Sequence, residues 1–172
     1  MIPDAKKLAL GIGARFGKGA VLCRRPDGEG WGPPFMITIG GGSVGWQIGG
    51  QDADYVFLVM NRRGIDHLLR SQFSLGADAA VAAGPIGRTA AAATDVTMHA
   101  EILSYSRVRG LFAGLSLEGA VLKQDRDGNR ALYGQAVDAK RLLLEDAYPT
   151  PDAARGLVEV LDQSSPRRTA RR

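Results

Sequence analysis

The chain is poor in the residues that staple or metallate small folds. A single cysteine, Cys23, rules out an internal disulfide. Two histidines, His67 and His99, stand far from it and give no recognisable zinc spacing. No apolar run approaches the roughly 18 residues of a spanning helix, the longest being Tyr55 to Met60, so no transmembrane segment is expected. The opening residues, Met1 to Lys7, lack the basic, apolar and small-residue regions of a secretory signal. The chain is therefore expected to be cytosolic, or to have lost an exporting segment. Acids are absent from Ser164 to Arg172, where Arg167, Arg168, Arg171 and Arg172 account for the whole net charge of +4. That leaves 18 basic against 18 acidic residues in Met1 to Gln163. A high isoelectric point confined to an end expected to be disordered does not argue for specific nucleic-acid binding.

Against these absences stand 172 residues, enough for one domain with a real core, at 45% hydrophobic and 23% charged. Glycine is the exception, 23 residues or about 13%, against a usual value of roughly 7%. That richness disfavours a helical bundle and favours turns, bulges and close backbone approaches. Leu8 to Phe16 and Ala20 to Arg25 read as a hairpin about Gly17-Lys18-Gly19, and Pro26-Asp27-Gly28 as a turn. Strands are expected at Phe35 to Ile39 and Val44 to Ile48, interrupted by Gly40 to Gly42, and at Tyr55 to Met60. Gly64 to Ser71 carries Ile65, Leu68 and Leu69 at helical spacing. Ala77 to Ala93 reads as small-residue strands, and Thr94 to Ser106 as a half-buried strand with Val96, Met98, Ala100 and Ile102 inward. Strands continue over Gly110 to Leu117 and Glu118 to Lys123, then an Asp127-Gly128 hairpin turn and Arg130 to Tyr133. Helices close the chain at Asp138 to Asp146 and Pro151 to Leu161, with Asp138 and Thr150 as caps. The expected fold is α+β, a glycine-rich and mainly antiparallel sheet or barrel with a few peripheral helices.

Chemical motifs are near misses. Gly41-Gly42-Ser43-Val44-Gly45 matches a nucleophile elbow, but strand-like residues follow where a helix is needed. The Gly13 to Gly19 run misses a phosphate loop by one spacer and lacks its serine or threonine. Asp125-x-Asp127-x-Asn129 opens like a calcium loop, yet Arg130 and Ala136 occupy the glycine and glutamate positions. No catalytic residue, metal or cofactor is expected. The remaining constellation is Lys6, Lys7, Arg15 and Lys18, interleaved with Leu8, Leu10, Ile12 and Phe16. It suits an anionic membrane surface, although composition alone favours an edge hairpin with solvated lysines.

From GGGSVGWQIGGQ (Gly40 to Gln51) the chain resembles the SYLF family of lipid-binding domains. The likeness runs on through Val59 to Gly64, FSLGADAAVAAGPIGR (Phe73 to Arg88), AEILSYSRVRGLFAGLSLEGA (Ala100 to Ala120) and NRALYG (Asn129 to Gly134). It covers Ile2 to Gly134 and looks like a bacterial-type member lacking the region that normally precedes the IPDAKK stretch. Residues 1–163 are expected to form a single domain, recognisable over 2–134 and helical over 136–162, with 164–172 a basic tail. The resemblance implies a non-enzymatic, peripheral module that binds anionic phospholipids or phosphoinositides. Lys6, Lys7, Arg15 and Lys18 are its expected headgroup contacts, followed by Arg62 and Arg63. Some relatives bind actin, so a protein-interaction module using exposed apolar surface, for an actin-like partner or self-association, is the alternative. Bacterial relatives resemble exported lipoproteins, which leaves a soluble or peripheral location, with export of a full-length form.

Overall fold

The computed structural model describes residues 1–84, 99–108, 111–114 and 119–166, with backbone alone for 7–13, 43–51, 108 and 111–114. The strands are β1 (Ile2–Val21), β2 (Phe35–Val59), β3 (Gln72–Ser74), β4 (Val81–Ala83), β5 (Ile102–Val108), β6 (Leu111–Gly114) and β7 (Val121–Gln124). The helices are α1 (Arg62–Leu68), α2 (Arg126–Tyr133), α3 (Ala139–Leu143) and α4 (Arg155–Ser164), with a 3-10 turn at Asp152–Ala154. The fold is α+β and mainly antiparallel, as the composition implies. Two compact units divide the chain: Met1–Gly19 with Ile37–Gln124, and Ala20–Met36 with Asp125–Arg172.

The first unit holds the sheet. Its path is β3-β7-β2-β5-β4, with β1 added on β2 and β6 on β5. Ile37 to Gly40 of β2 pair with Gln124 to Val121 of β7, and Asp54 to Val59 pair with Arg107 to Ile102 of β5. β4 runs parallel to β5, setting Ala82 beside Leu103. Ala82, Ala100 and Leu103 form a buried cluster against Tyr105, and the buried Ser104 donates its hydroxyl to the Ala82 carbonyl at 3.2 Å. The Phe73, Leu122 and Ile39 side chains are buried as well.

Several sequence expectations give way here. β1 runs unbroken through Gly17-Lys18-Gly19, where a hairpin turn was expected. β2 likewise runs through Gly40 to Gly42, and Gly40 keeps its place opposite Val121. Glycine without a side chain marks close approach as readily as a turn: a Cβ on Gly17 would stand 2.8 Å from Ile2 Cγ2 and 2.9 Å from Ala5 Cβ. β5 begins only at Ile102, and Ile102, Leu103 and Ser104 are consecutively buried, so the strand is not half-buried at its start. Val96 and Met98 lie outside the described residues, as do residues 85–93 and 115–117 of the other expected strands. The helix expected from Gly64 starts at Arg62, capped by the Asn61 side chain on the Gly64 N–H at 3.0 Å.

In the second unit the Pro26-Asp27-Gly28 turn forms as expected. The Gly28 N–H donates to the Arg25 carbonyl at 2.8 Å and Gly28 takes φ +80°, in the left-handed region. The larger correction is α2, a helix where a hairpin and strand were expected. Asp125 caps it by accepting from the Gly128 N–H at 2.9 Å, and a Cβ on Gly128 would stand 2.7 Å from the Asp125 carboxylate. Asp-Gly thus serves a first helical turn, and the residues of the apparent calcium loop are a cap. Buried Asn129 then grips the start of β2: its Oδ1 accepts from the Met36 N–H at 2.8 Å. Its Nδ2 donates to the Met36 and Asp125 carbonyls at 3.0 and 2.9 Å. Tyr133 donates its hydroxyl to the Pro34 carbonyl at 2.6 Å, and burial raises its pKa. α3 has its expected cap, Asp138, accepting from Arg141 N–H at 2.9 Å. Thr150 caps nothing: a 3-10 turn with Pro151 before it precedes α4, and α4 has no side-chain cap.

Candidate functional site

β1 decides where the expected basic residues go. Ile2, Ala5 and Gly19 are buried, and Gly17 packs on Ile2 and Ala5, so the end of the strand lies against its own beginning. Lys6, next to Ala5, and Lys18, between Gly17 and Gly19, therefore enter one neighbourhood although twelve positions apart. Burial alternates with strand period over this end: Phe16 and Lys18 are exposed, with Gly17 and Gly19 directed to the opposite face. Phe16 is 53% exposed, an unusual setting for a phenylalanine. Arg15 is half-buried. The side chains of Lys7, Leu8, Leu10 and Ile12 lie outside the described residues.

Acidic residues limit the positive potential. Lys6 Nζ is 3.7 Å from Asp52, both side chains more than half exposed, a contact worth little in water. Next to it, the Asp4 N–H donates to Asp54 Oδ1 at 3.0 Å, and Arg107 Nε donates to Asp54 Oδ2 at 2.7 Å. Arg107 Nη2 contacts the same carboxylate, and the two residues pair directly across β2 and β5. The Asp4 N–H first, then the Arg107 hydrogen bond, lower the Asp54 pKa. A depressed carboxylate pKa contributes stability that is present above the unfolded value near about 3.9 and lost as pH falls through the folded value. Asp54→Asn is therefore expected to flatten the acid limb of stability between pH 5 and 2, measured by urea midpoints. An acid limb as steep as that of the unaltered protein would remove Asp54 from this role.

Arg62 and Arg63 form a separate exposed pair on α1, with Arg62 Nε 3.4 Å from Asp66. Positive charge in a first helical turn opposes the helix dipole, and Asp66 offsets part of it. Beneath α1, His67 Nε2 is 3.3 Å from Glu101 Oε2, both side chains largely buried. Glu101 Oε2 also accepts from the Ala80 N–H at 3.1 Å, and the imidazole lies against Phe73. Neither histidine has a zinc spacing in the sequence, and the Glu101 partner of His67 lies 34 residues away, where no local spacing marks it. This pair tethers α1 to the residues entering β5.

Ser43 stands inside β2, with strand on both sides, and so lacks the strand-to-helix turn of a nucleophile elbow. Burial pushes the Cys23 thiol up to about 11, which makes it a poor nucleophile. Among the described residues no three His, Cys, Asp or Glu side chains converge as a metal site, and no helix is long and apolar enough to cross a membrane. Ser43→Ala is expected to leave the protein's binding properties unchanged, and a serine-directed probe should leave Ser43 unlabelled. Stoichiometric labelling at low probe concentration would overturn that.

A family model described as "Ysc84: Las17-binding protein actin regulator" matches residues 40–164. The chain belongs to the Ysc84 family. The match begins at the glycine-rich Gly40 stretch on which the SYLF resemblance rests, and extends through α4, beyond the Gly134 limit of that resemblance. The Ysc84 family is by this description one of actin regulators. An SH3 domain-containing protein of Schizosaccharomyces pombe is 40% identical over 165 residues, covering 94% of this chain and 38% of the relative. The human SH3 domain-containing YSC84-like protein 1 is 36% identical over 152 residues, 88% of this chain and 44% of its own length. Protein YSC84 of Saccharomyces cerevisiae is 33% identical over 153 residues, 86% of this chain and 32% of its own. The chain thus spans less than half the length of these Ysc84 relatives. No solved structure matches it.

Proposed function

We propose that this Ysc84-family chain is a non-enzymatic module that binds anionic phospholipids or phosphoinositides peripherally through the β1 surface. The observation that supports the reading is the return of β1 on itself. It sets exposed Lys6 and Lys18 near one another, with exposed Phe16 on the Lys18 face. Lysine stems on a strand that also exposes an aromatic ring suit the headgroup region, where charge meets phosphate and the ring enters the acyl boundary. Lys7 and Arg15 extend the same strand, and Arg62 and Arg63 are the second contact.

Flotation with neutral phosphatidylcholine vesicles and with vesicles containing phosphatidylserine tests this. Binding is expected only to the anionic vesicles and is expected to fall steeply between 0.05 and 0.3 M salt, since the Debye length shortens through about 10 Å at 0.1 M. The second reading is a protein-interaction module, favoured by the family description as actin regulators and by exposed Leu58 and Met60 on β2 and just beyond it. Absence of flotation at low salt, together with co-sedimentation with filamentous actin or concentration-dependent self-association, would favour it.

A further inference from the structure

Arg24 is held in an electrostatic setting that the lipid reading does not use. It bridges to Trp31 across the Pro26-Asp27-Gly28 turn, and its guanidinium lies 4.1 Å from the centre of the Trp31 ring. Its Nη2 donates to the Ser165 carbonyl and, at 2.9 Å, to Ser165 Oγ. Both acceptors are neutral. Neighbouring Arg25 has Asp146 at 3.7 Å, but Arg24 has no carboxylate partner among the described residues. Its Nη1 is buried without a hydrogen-bond partner. A guanidinium with an unused buried donor is a costly arrangement unless an anion completes it.

Ser165 supplies a place for that anion. It is exposed at the C-cap of α4, with φ −140° and ψ 64°, outside the helical region as the following Pro166 requires. Proline directly after the serine, then Arg167 and Arg168, is a pattern suited to a proline-directed kinase that favours basic residues. Ser164 lacks the following proline. We propose that Ser165 is a phosphorylation site whose phosphate is received by Arg24. Ser165 Oγ attacks the terminal phosphorus of a nucleoside triphosphate bound by the kinase, and its proton passes to the kinase's base. The bond to the bridging oxygen breaks and the nucleoside diphosphate leaves. One phosphate oxygen takes the place of Oγ on Nη2, a charge-assisted pairing with a guanidinium that stacking on Trp31 has already oriented. The C-terminal dipole of α4 and Asp162, which accepts from the Trp31 N–H at 2.9 Å, oppose the phosphate. Arg24 prevails because it is already at hydrogen-bond distance. The modification would lower the charge of Ser164 to Arg172 from +4 to about +2. The inference stands independently of lipid binding.

The test has two arms on the full chain. With phosphoserine encoded at position 165, phosphorus NMR is expected to show the second phosphate pKa about one unit lower in the folded protein than in urea. Arg24→Gln should abolish that shift, and Arg24→Lys, which keeps charge without the fork, should retain part of it. In the second arm, a purified proline-directed kinase with magnesium and ATP should place phosphate on Ser165 and none on Ser164, read by mass spectrometry. A phosphate pKa equal in folded Arg24 and Arg24→Gln proteins, or in folded and urea-unfolded protein, would overturn the Arg24 pairing. A kinase product that leaves Ser165 unmodified would overturn the site.

Discussion

Replacing Lys6 and Lys18 together by glutamate is expected to abolish flotation with anionic vesicles, once the four tail arginines have been replaced by glutamine. Each lysine close to a negatively charged surface contributes about 1 kcal/mol, and a glutamate in its place adds repulsion of similar size. Two reversals therefore cost up to about 4 kcal/mol, roughly a thousandfold at low salt. The tail is neutralised first because Arg167, Arg168, Arg171 and Arg172 attract any polyanion without help from the fold. It is not deleted, because Ser165 receives hydrogen bonds from Arg24 and truncation before it would strip them away. Phe16→Ser, with charge unchanged, is expected to weaken binding less and to leave the salt dependence intact. If the tail-neutralised protein floats equally well with and without the two reversals, β1 is not the lipid surface. Arg62 and Arg63 would then be the next pair to reverse.

Asn129→Ala is expected to lower stability by about 3 kcal/mol, read from urea midpoints at unchanged slope. Asn129 is the one side chain that satisfies the Met36 N–H while also donating to the Met36 and Asp125 carbonyls. Alanine leaves that N–H unsatisfied and opens a small cavity. Asn129→Asp separates the polar contribution from the cavity, since the two side chains have nearly the same shape. Its second oxygen would face two carbonyl oxygens, which disfavours the ionised form and raises the folded pKa above the unfolded value near about 3.9. The penalty should therefore be small near the unfolded pKa, grow as pH rises, and be complete above the folded pKa. A penalty for Asn129→Asp that is the same at pH 4 and pH 8 would show that the clamp is not what Asn129 contributes.

The turn at Pro26-Asp27-Gly28, the capped helix after Asp138 and the helix near Gly64 were legible in the sequence. Each is written in neighbouring residues: a proline that presets φ, a glycine at positive φ, a carboxylate three positions before the N–H it accepts from. The α+β class followed from glycine content and alternating apolar residues, and the family from extended motifs such as Gly40 to Gln51. The site was legible only as a composition. Lys6 and Lys18 could be named as basic residues, but their nearness could not.

What the sequence by itself determined, then, is the class, the family, the local turns and caps, and the inventory of charged groups. Tertiary structure alone decided that β1 and β2 continue through their glycines and that Asp125 to Tyr133 begins a helix. It also brought Gly17 against Ile2 and Ala5, His67 to Glu101 and Arg24 to Ser165. A glycine carries no side chain to alternate, so its sequence position does not distinguish a turn from a strand lying against another backbone. Asp-Gly serves a hairpin turn or a helix cap alike, and the choice fell to Asn129, whose hydrogen bonds reach Met36, 93 residues away. Partners that far apart leave no periodic trace in the chain between them, and only the folded backbone brings their atoms within hydrogen-bond distance.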